Sequence, residues 1–171
     1  MLEIRRSARL PLWYALAAAV LILDQFTKAS VVHSFEYGDS LFISSYFNLV
    51  RAHNSGAAFS FLSDAGGWQR WAFSGLAASV SIVLVVWIAR LSRAQWLECM
   101  ALALILGGAL GNLWDRLILG YVIDFLDFHW AGRHFPAFNV ADSAITCGAI
   151  LLIFDAWRSG GGEQTDDHKQ T

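Results

Sequence analysis

The apolar residues of this chain fall into long blocks rather than short alternations. Residues 71–89 carry no charged side chain, and at a rise of about 1.5 Å per residue such a block crosses a hydrocarbon core of about 30 Å. Three more blocks are apolar but interrupted: 12–32 holds Asp24 and Lys28, 96–114 holds Glu98 and Asn112, and 140–157 holds Asp142 and Asp155. Each spans a bilayer if those groups sit near an end or face a polar interior. Between the first two blocks the pattern changes. Leu41-Phe42-Ile43 and residues 46–50 are rich in strand formers, separated by Ser44-Ser45, which predicts a small β element. The expected fold class is an all-α membrane protein: four transmembrane helices with a small β element on the outer surface. Residues 1–158 read as a single four-helix membrane domain, with 33–70 an outer β-containing insertion. Residues 159–171, glycine-rich and then acidic, read as a disordered cytoplasmic tail.

Composition strengthens the membrane reading. Hydrophobic residues make up 56% of the chain and charged ones only 15%, against about 25% charged in soluble domains, and the mean hydropathy is +0.46. The net charge of -2 and the scattered Lys and Arg exclude a nucleic-acid field. Cys99 and Cys147 lie in apolar stretches and read as small packing residues. A cleaved signal peptide is a weaker reading of the first block, because Asp24-Gln25-Phe26-Thr27-Lys28 rather than a small-residue cleavage site follows it. Four spans put both termini on one side. Arg5, Arg6 and Arg9 before the first span, Arg90 and Arg93 in the short second connection and Arg158 after the last span make that side cytoplasmic. The tryptophans near the block edges, Trp13, Trp68, Trp71, Trp96, Trp114, Trp130 and Trp157, suit the headgroup zone.

This topology, fixed without reference to chemistry, gathers Asn54, Asn112, Asp115, Arg116, Asp124, Asn139 and Asp142 at or near the outer interface. A carboxylate in the centre of a lone span costs about 2.5–3.5 kcal/mol, so each needs a partner, a proton or water. Asn112, Asp115 and Arg116 share a helical face by their i, i+3, i+4 spacing; Arg116 there serves stability or site-ordering equally well. Gly107, Gly108 and Gly111 allow close helix packing. Asp24 and Lys28, at i and i+4, neutralise each other structurally. Asn139 and Asp142 fit an N-cap and a dipole-favoured carboxylate at the start of the last helix. Asp124 has no such local explanation, being flanked by Val122, Ile123, Phe125 and Leu126. Two carboxylates brought together do not both ionise readily, which is the pairing that acid/base hydrolysis uses. His129 and His134 lack an obvious third metal ligand, and no H-E-x-x-H or G-x-S-x-G motif occurs.

Four segments in order resemble the bacterial lipoprotein signal peptidases, or type II signal peptidases. They are Asp24-Gln25-Phe26-Thr27-Lys28; Asn54-Ser55-Gly56-Ala57-Ala58-Phe59; Gly111-Asn112-Leu113-Trp114-Asp115-Arg116 with Val122-Ile123-Asp124-Phe125; and Phe138-Asn139-Val140-Ala141-Asp142-Ser143. Trp114 is bulkier than the resemblance leads one to expect. The resemblance implies a membrane aspartic endopeptidase that cuts diacylglyceryl-modified prolipoproteins on the amino side of the lipidated cysteine. It implies a multi-pass protein of the bacterial inner membrane, its site near the periplasmic face, with Asp124 and Asp142 as the catalytic pair. Asn54, Asn112, Arg116 and Asn139 match site-ordering or substrate-binding positions, and Gly56 is expected to serve with them; Asp24 and Lys28 match structural ones, with Asp115 expected to be structural too. No metal, cofactor, nucleic acid or obligate protein partner is implied, and membrane lipid is the surrounding partner. The Asn54-Ser55-Gly56 turn and the outer β element are expected to close over the substrate, with Gly56 supplying unusual backbone angles. The rivals from other classes are a proton-coupled transporter, disfavoured by the one-sided polar cluster, and a structural membrane-assembly subunit.

Overall fold

The computed structural model describes residues 10–56 and 68–160. Arg5, Arg6 and Arg9, the Ala57-Ala58-Phe59 part of the second motif and the tail from residue 161 lie outside the described residues. Among the described residues four helices form: α1 Leu10–Ser34, α2 Trp68–Arg90, α3 Trp96–Ile118 and α4 Val140–Gly160. All four are long and apolar enough to cross a membrane. They outrun the apolar blocks because a helix continues past the hydrocarbon until its backbone hydrogen bonds end. In α3 the extra turn takes in Asp115 and Arg116, which lie beyond the apolar block 96–114 and share the helix with Asn112 as their spacing predicts.

Helix α3 occupies the middle. It packs on α1, α2 and α4, whereas α1 meets α4 less extensively and α2 only lightly. Lipid tails are as apolar as leucine, so close backbone packing rather than a hydrophobic drive must hold such helices together. Small residues provide it: a β-carbon on Gly107 would stand 2.6 Å from the Ala17 carbonyl oxygen of α1, and one on Gly148 of α4 2.6 Å from that of Ala101. Trp13, Ala17, Leu84, Ile88, Leu91, Cys99, Leu102, Ala103 and Leu106 fill the half of the bundle that holds the start of α1 and the end of α2. Trp13 therefore belongs to this core and not to the headgroup zone, while Trp68, Trp71, Trp96, Trp114, Trp130 and Trp157 are exposed. Trp114 is 56% exposed and points away from the buried Asp115, so its bulk does not press on that residue. Cys99 is buried as a packing residue, but Cys147 is exposed.

The β element is larger than the sequence pattern suggests. Strands β1 Ser40–Ser44 and β2 Phe47–Asn54 form the expected hairpin. The second outer connection adds β3 Val122–Trp130 and the short β4 Arg133–His134, in the order β1-β2-β3-β4, all antiparallel. The insertion 33–70 thus supplies half of a sheet shared by both outer connections. A bulge lies between Leu49 and Ala52 of β2 opposite Leu126 and Asp124 of β3, giving β2 one extra residue there. Beyond β3 the chain returns beside it: Phe125 and Leu126 donate their N–H groups to Phe138 O at 3.0 and 2.8 Å. That return delivers the start of α4 to the strand that carries Asp124.

Candidate active site

Each polar side chain of the site is set by a local backbone feature. Past the bulge, Asn54 pairs with Val122, so Asp124 is its diagonal neighbour on the same face of the sheet. Asn54 Nδ2 donates to Asp124 Oδ2 at 3.0 Å, and Asn54 Oδ1 accepts the Gly56 N–H at 2.9 Å. Gly56 has φ +94°, and a β-carbon there would lie 2.5 Å from ring carbons of Phe73. Only glycine suits both the angle and the space.

Asn139 caps α4. Its Oδ1 accepts the Asp142 N–H at 2.9 Å while its own N–H approaches Asp142 Oδ2 at 3.3 Å, a reciprocal capping box with Asp in the third position. The carboxamide nitrogen faces Asp124 Oδ1 at 2.7 Å, Asn112 Oδ1 at 3.2 Å and Ile123 O at 3.3 Å. Asn112 completes the bridge by donating to Asp142 Oδ1 at 2.7 Å. The capping expected for Asn139 and Asp142 is therefore present, and the same bonds bring Asp142 to Asp124.

Behind this lies a second charged layer. Lys28, 1% exposed, directs its ammonium at Asp24 Oδ2 at 2.8 Å, Asp115 Oδ2 at 2.9 Å and Asn112 Oδ1 at 3.1 Å. These satisfy its three N–H donors. Asp24 also accepts the Ala141 N–H at 2.9 Å, one of the orphan donors of the first turn of α4. Asp115 accepts the Ile123 N–H at 3.2 Å and the Gln25 amide at 2.8 Å. Gly111 allows the approach, since a β-carbon there would stand 2.6 Å from Asp24 Oδ2. The expected Asp24–Lys28 pair is thus one edge of a triad with Asp115, and Gln25 is a member that sequence reasoning missed. Being neutral, it raised no energetic alarm; its place between Asp24 and Lys28 was the available signal.

Arg116 stands at the rim. Its guanidinium lies 5.5 Å from the Phe73 ring centroid and donates to Asn112 O at 3.3 Å, while its buried Nε has no hydrogen-bond partner among the described residues. Asp127, by contrast, sits three residues along β3 from Asp124 and belongs to a separate cluster, held by Asn48 Nδ2 and His134 Nδ1, each at 2.9 Å. Burial works to raise its carboxyl, but these hydrogen bonds prevail and hold it below the usual range. Asp124 goes the other way. Burial first, and then the negative charge of Asp142, push it up to about 7 against the opposing bonds from Asn54 and Asn139.

A buried carboxyl raised to about 7, beside a second carboxyl in the first turn of a helix, is a pairing that can divide acid and base roles, here mounted on a four-span membrane bundle. The family model for signal peptidase (SPase) II matches residues 16–158. A lipoprotein signal peptidase of Ralstonia nicotianae is 55% identical over 146 residues, covering 85% of this chain and 84% of that one. One of Pseudomonas fluorescens is 54% identical over 158 residues, covering 91% and 93%. A bacterial membrane enzyme solved by the in meso method at 2.3 Å superimposes with a TM-score of 0.80 at 30% identity, covering 97% of this chain and 98% of the other. The chain belongs to the signal peptidase II family; it is a multi-pass membrane peptidase of the aspartic type.

Proposed function

We propose that this peptidase cleaves the signal peptide from prolipoproteins on the amino side of a diacylglyceryl-cysteine, with Asp124 and Asp142 as its acid/base pair. The observation that carries the assignment is the shared carboxamide bridge: Asn139 and Asn112 bind one oxygen each of Asp124 and Asp142 while binding each other. Asp124 holds the proton because burial and the neighbouring anion raise it to about 7. Asp142, in the first turn of α4, is the member of the pair that takes the proton from water.

In the first step Asp142 takes a proton from water as the oxygen attacks the scissile carbonyl carbon, and Asp124 gives its proton to the carbonyl oxygen. In the second, the tetrahedral intermediate expels the cysteine nitrogen, which receives the proton from Asp142, while Asp124 recovers its own from the hydroxyl. The products are a signal peptide with a free carboxyl end and a lipoprotein with a free cysteine amine. The chemistry uses side chains and water alone. The guanidinium of Arg116, held at the rim by Asn112 O and the Phe73 ring, is the donor for a substrate carbonyl. Asn54, Gly56, Asn112 and Asn139 order the pair; Asp24, Lys28 and Asp115 brace the helices behind it.

The site lies at the end of the bundle where the sheet packs, opposite Arg90, Arg93 and Arg158. With those arginines cytoplasmic, the sheet and site face the periplasmic side of the inner membrane, where a translocated lipoprotein precursor is still anchored by its lipid. The deciding experiment is cleavage of a diacylglyceryl-cysteine signal-peptide substrate by wild type, Asp124→Asn and Asp142→Asn, each checked for intact fold. Both variants are expected to lose turnover by about 10³-fold or more. Near-wild-type turnover in either removes that residue from the pair.

A further inference from the structure

Beside Asp142 lies a cavity of ≈ 410 Å³ lined by Phe135, Phe138, Asp142, Ser143, Thr146 and Cys147. It occupies the outward side of α4, where Thr146 and Cys147 are exposed, while Ala141, Ala144 and Gly148 face the bundle. Two of its polar residues are polar in name only. Ser143 Oγ donates to Asn139 O at 2.9 Å and Thr146 Oγ1 to Asp142 O at 2.8 Å, so both hydroxyls turn back onto the helix backbone. The wall left facing the space is aromatic ring, methyl, methylene and thiol, with the Asp142 carboxylate at one edge.

Farther along α4, Ile150 and Ile153 are 60% and 71% exposed, as befits a lipid-facing surface. The cavity therefore lies between the Asp142 carboxylate and this apolar face of α4. We propose that it takes one acyl chain of the diacylglyceryl group, with the glyceryl end beside Asp142 and the tail running down α4 into lipid. This rests on the substrate reading above. A peptide segment would bring N–H and C=O groups that need partners, and the lining, its hydroxyls already committed, offers few. An acyl chain needs none.

A chain that leaves lipid for an apolar wall gains little affinity, because the two surroundings are alike. What it gains is position: the lipidated cysteine is tethered within reach of Asp142, and with it the scissile carbonyl. Blocking the cavity therefore acts on kcat more than on KM. Cys147→Trp, more than one helical turn from Asp142, is expected to lower kcat on a diacylglyceryl substrate about tenfold and to leave KM within about twofold.

The direct test uses the wild-type enzyme in liposomes with an uncleavable substrate analogue, N-methylated at the scissile amide and carrying a diazirine midway along one acyl chain. Irradiation should place adducts on Phe135, Phe138, Thr146 or Cys147, and unlabelled substrate should compete them away. Adducts confined to other helices overturn the proposal. So does equal, uncompeted labelling by a diazirine phosphatidylcholine, which would mark the cavity as an ordinary lipid contact. Labelling of the cavity from a photoreactive leucine in the signal peptide, in place of the acyl probe, assigns it to peptide and also overturns it. If Cys147→Trp does not fold, treating wild type with hexyl methanethiosulfonate, which joins a hexylthio group to the Cys147 thiol as a mixed disulfide and releases methanesulfinate, blocks the same space, Cys99 being buried. Unchanged kcat after either block counts against the acyl site. Failure of wild type to cut the cleavable parent peptide would instead bring down the substrate reading itself.

Discussion

The carboxamide nitrogen of Asn139 lies 2.7 Å from Asp124 Oδ1, and Asn139 makes this bond while wholly buried. Its oxygen is occupied by the Asp142 N–H at 2.9 Å. One neutral side chain therefore fixes the distance between a carboxyl on strand β3 and a carboxylate on helix α4. A charged residue in its place would either pair with one of them or repel both.

Asn139→Ala removes the cap and the bridge together. Loss of the cap alone is expected to lower stability by about 1 kcal/mol, whereas turnover should fall by about 10²-fold because the two carboxyls are no longer held in register. Melting temperature and kcat measured on the same preparation separate the two effects. A variant that melts lower yet turns over normally shows that the bridge is a cap and nothing more.

The pH profile follows from the raised carboxyl of Asp124. Below about 7 it holds the proton that the carbonyl oxygen requires; above that value the proton is lost, and kcat should fall about tenfold per pH unit. The linkage to stability has the same sign. Between the range of an unfolded carboxyl and about 7 the folded protein binds this proton and the unfolded chain does not, so the contribution of Asp124 to stability falls as pH rises through that window. Asp127, held below the usual range, contributes the reverse: its stabilisation is present above the unfolded value and is lost as pH falls through its folded value. The check is Asn54→Ala. The Asn54 bond pulls Asp124 down, so its removal should move the alkaline limb of the kcat profile to higher pH, and a limb that stays put assigns that titration to another group.

The four spans were legible because a bilayer demands long apolar blocks, and the Asp24–Lys28 pair because i, i+4 neighbours meet on any helix. The Lys28–Asp115 contact was not, since no local pattern relates residues so far apart in sequence. Strand β3 holds the strand formers Val122, Ile123, Phe125, Phe128 and Trp130, but without a strict two-residue alternation to announce it. Asp124 and Asp127 interrupt that run and are buried nonetheless. Strand β2 runs past the predicted Val50 to Asn54 because Ala52, His53 and Asn54 pair with β3, which supplies what their own propensity lacks. His53 gains a further hold: its ring stacks between Tyr37 at 4.3 Å and Tyr121 at 3.9 Å, a contact among three distant segments. The residues of the proposed pair could be read from motif and cost; the bulge and the strand return that bring them together could not.

Lys28→Met leaves Asp24 and Asp115 as buried carboxylates without their counter-ion, a change worth about 3–5 kcal/mol against the fold. Replacing all three, with Asp24→Asn and Asp115→Asn added, removes the stranded charges and should restore most of that loss, since asparagine oxygens can still accept from Ala141 and Ile123. Thermal unfolding in detergent of the single and triple variants decides it. A triple variant no more stable than Lys28→Met shows that the triad stabilises through its particular hydrogen bonds, not merely by balancing charge.

Gly56→Ala tests whether the turn after β2 sets the proton holder. At φ +94° an alanine costs about 1–2 kcal/mol for the backbone alone, and its β-carbon meets the Phe73 ring as well. The turn must then open, withdrawing the Gly56 N–H from Asn54 Oδ1 and loosening the Asn54 bond to Asp124. Turnover is expected to fall at least about tenfold with little change in the spectrum of the folded helices. Adding Phe73→Ala relieves the steric part but leaves the backbone part, and it strips the ring from beneath Arg116, so the double variant should recover only a fraction of kcat. Full activity in Gly56→Ala would mean that Asn54 holds Asp124 without help from the turn, and that the β2–β3 register alone places the proton.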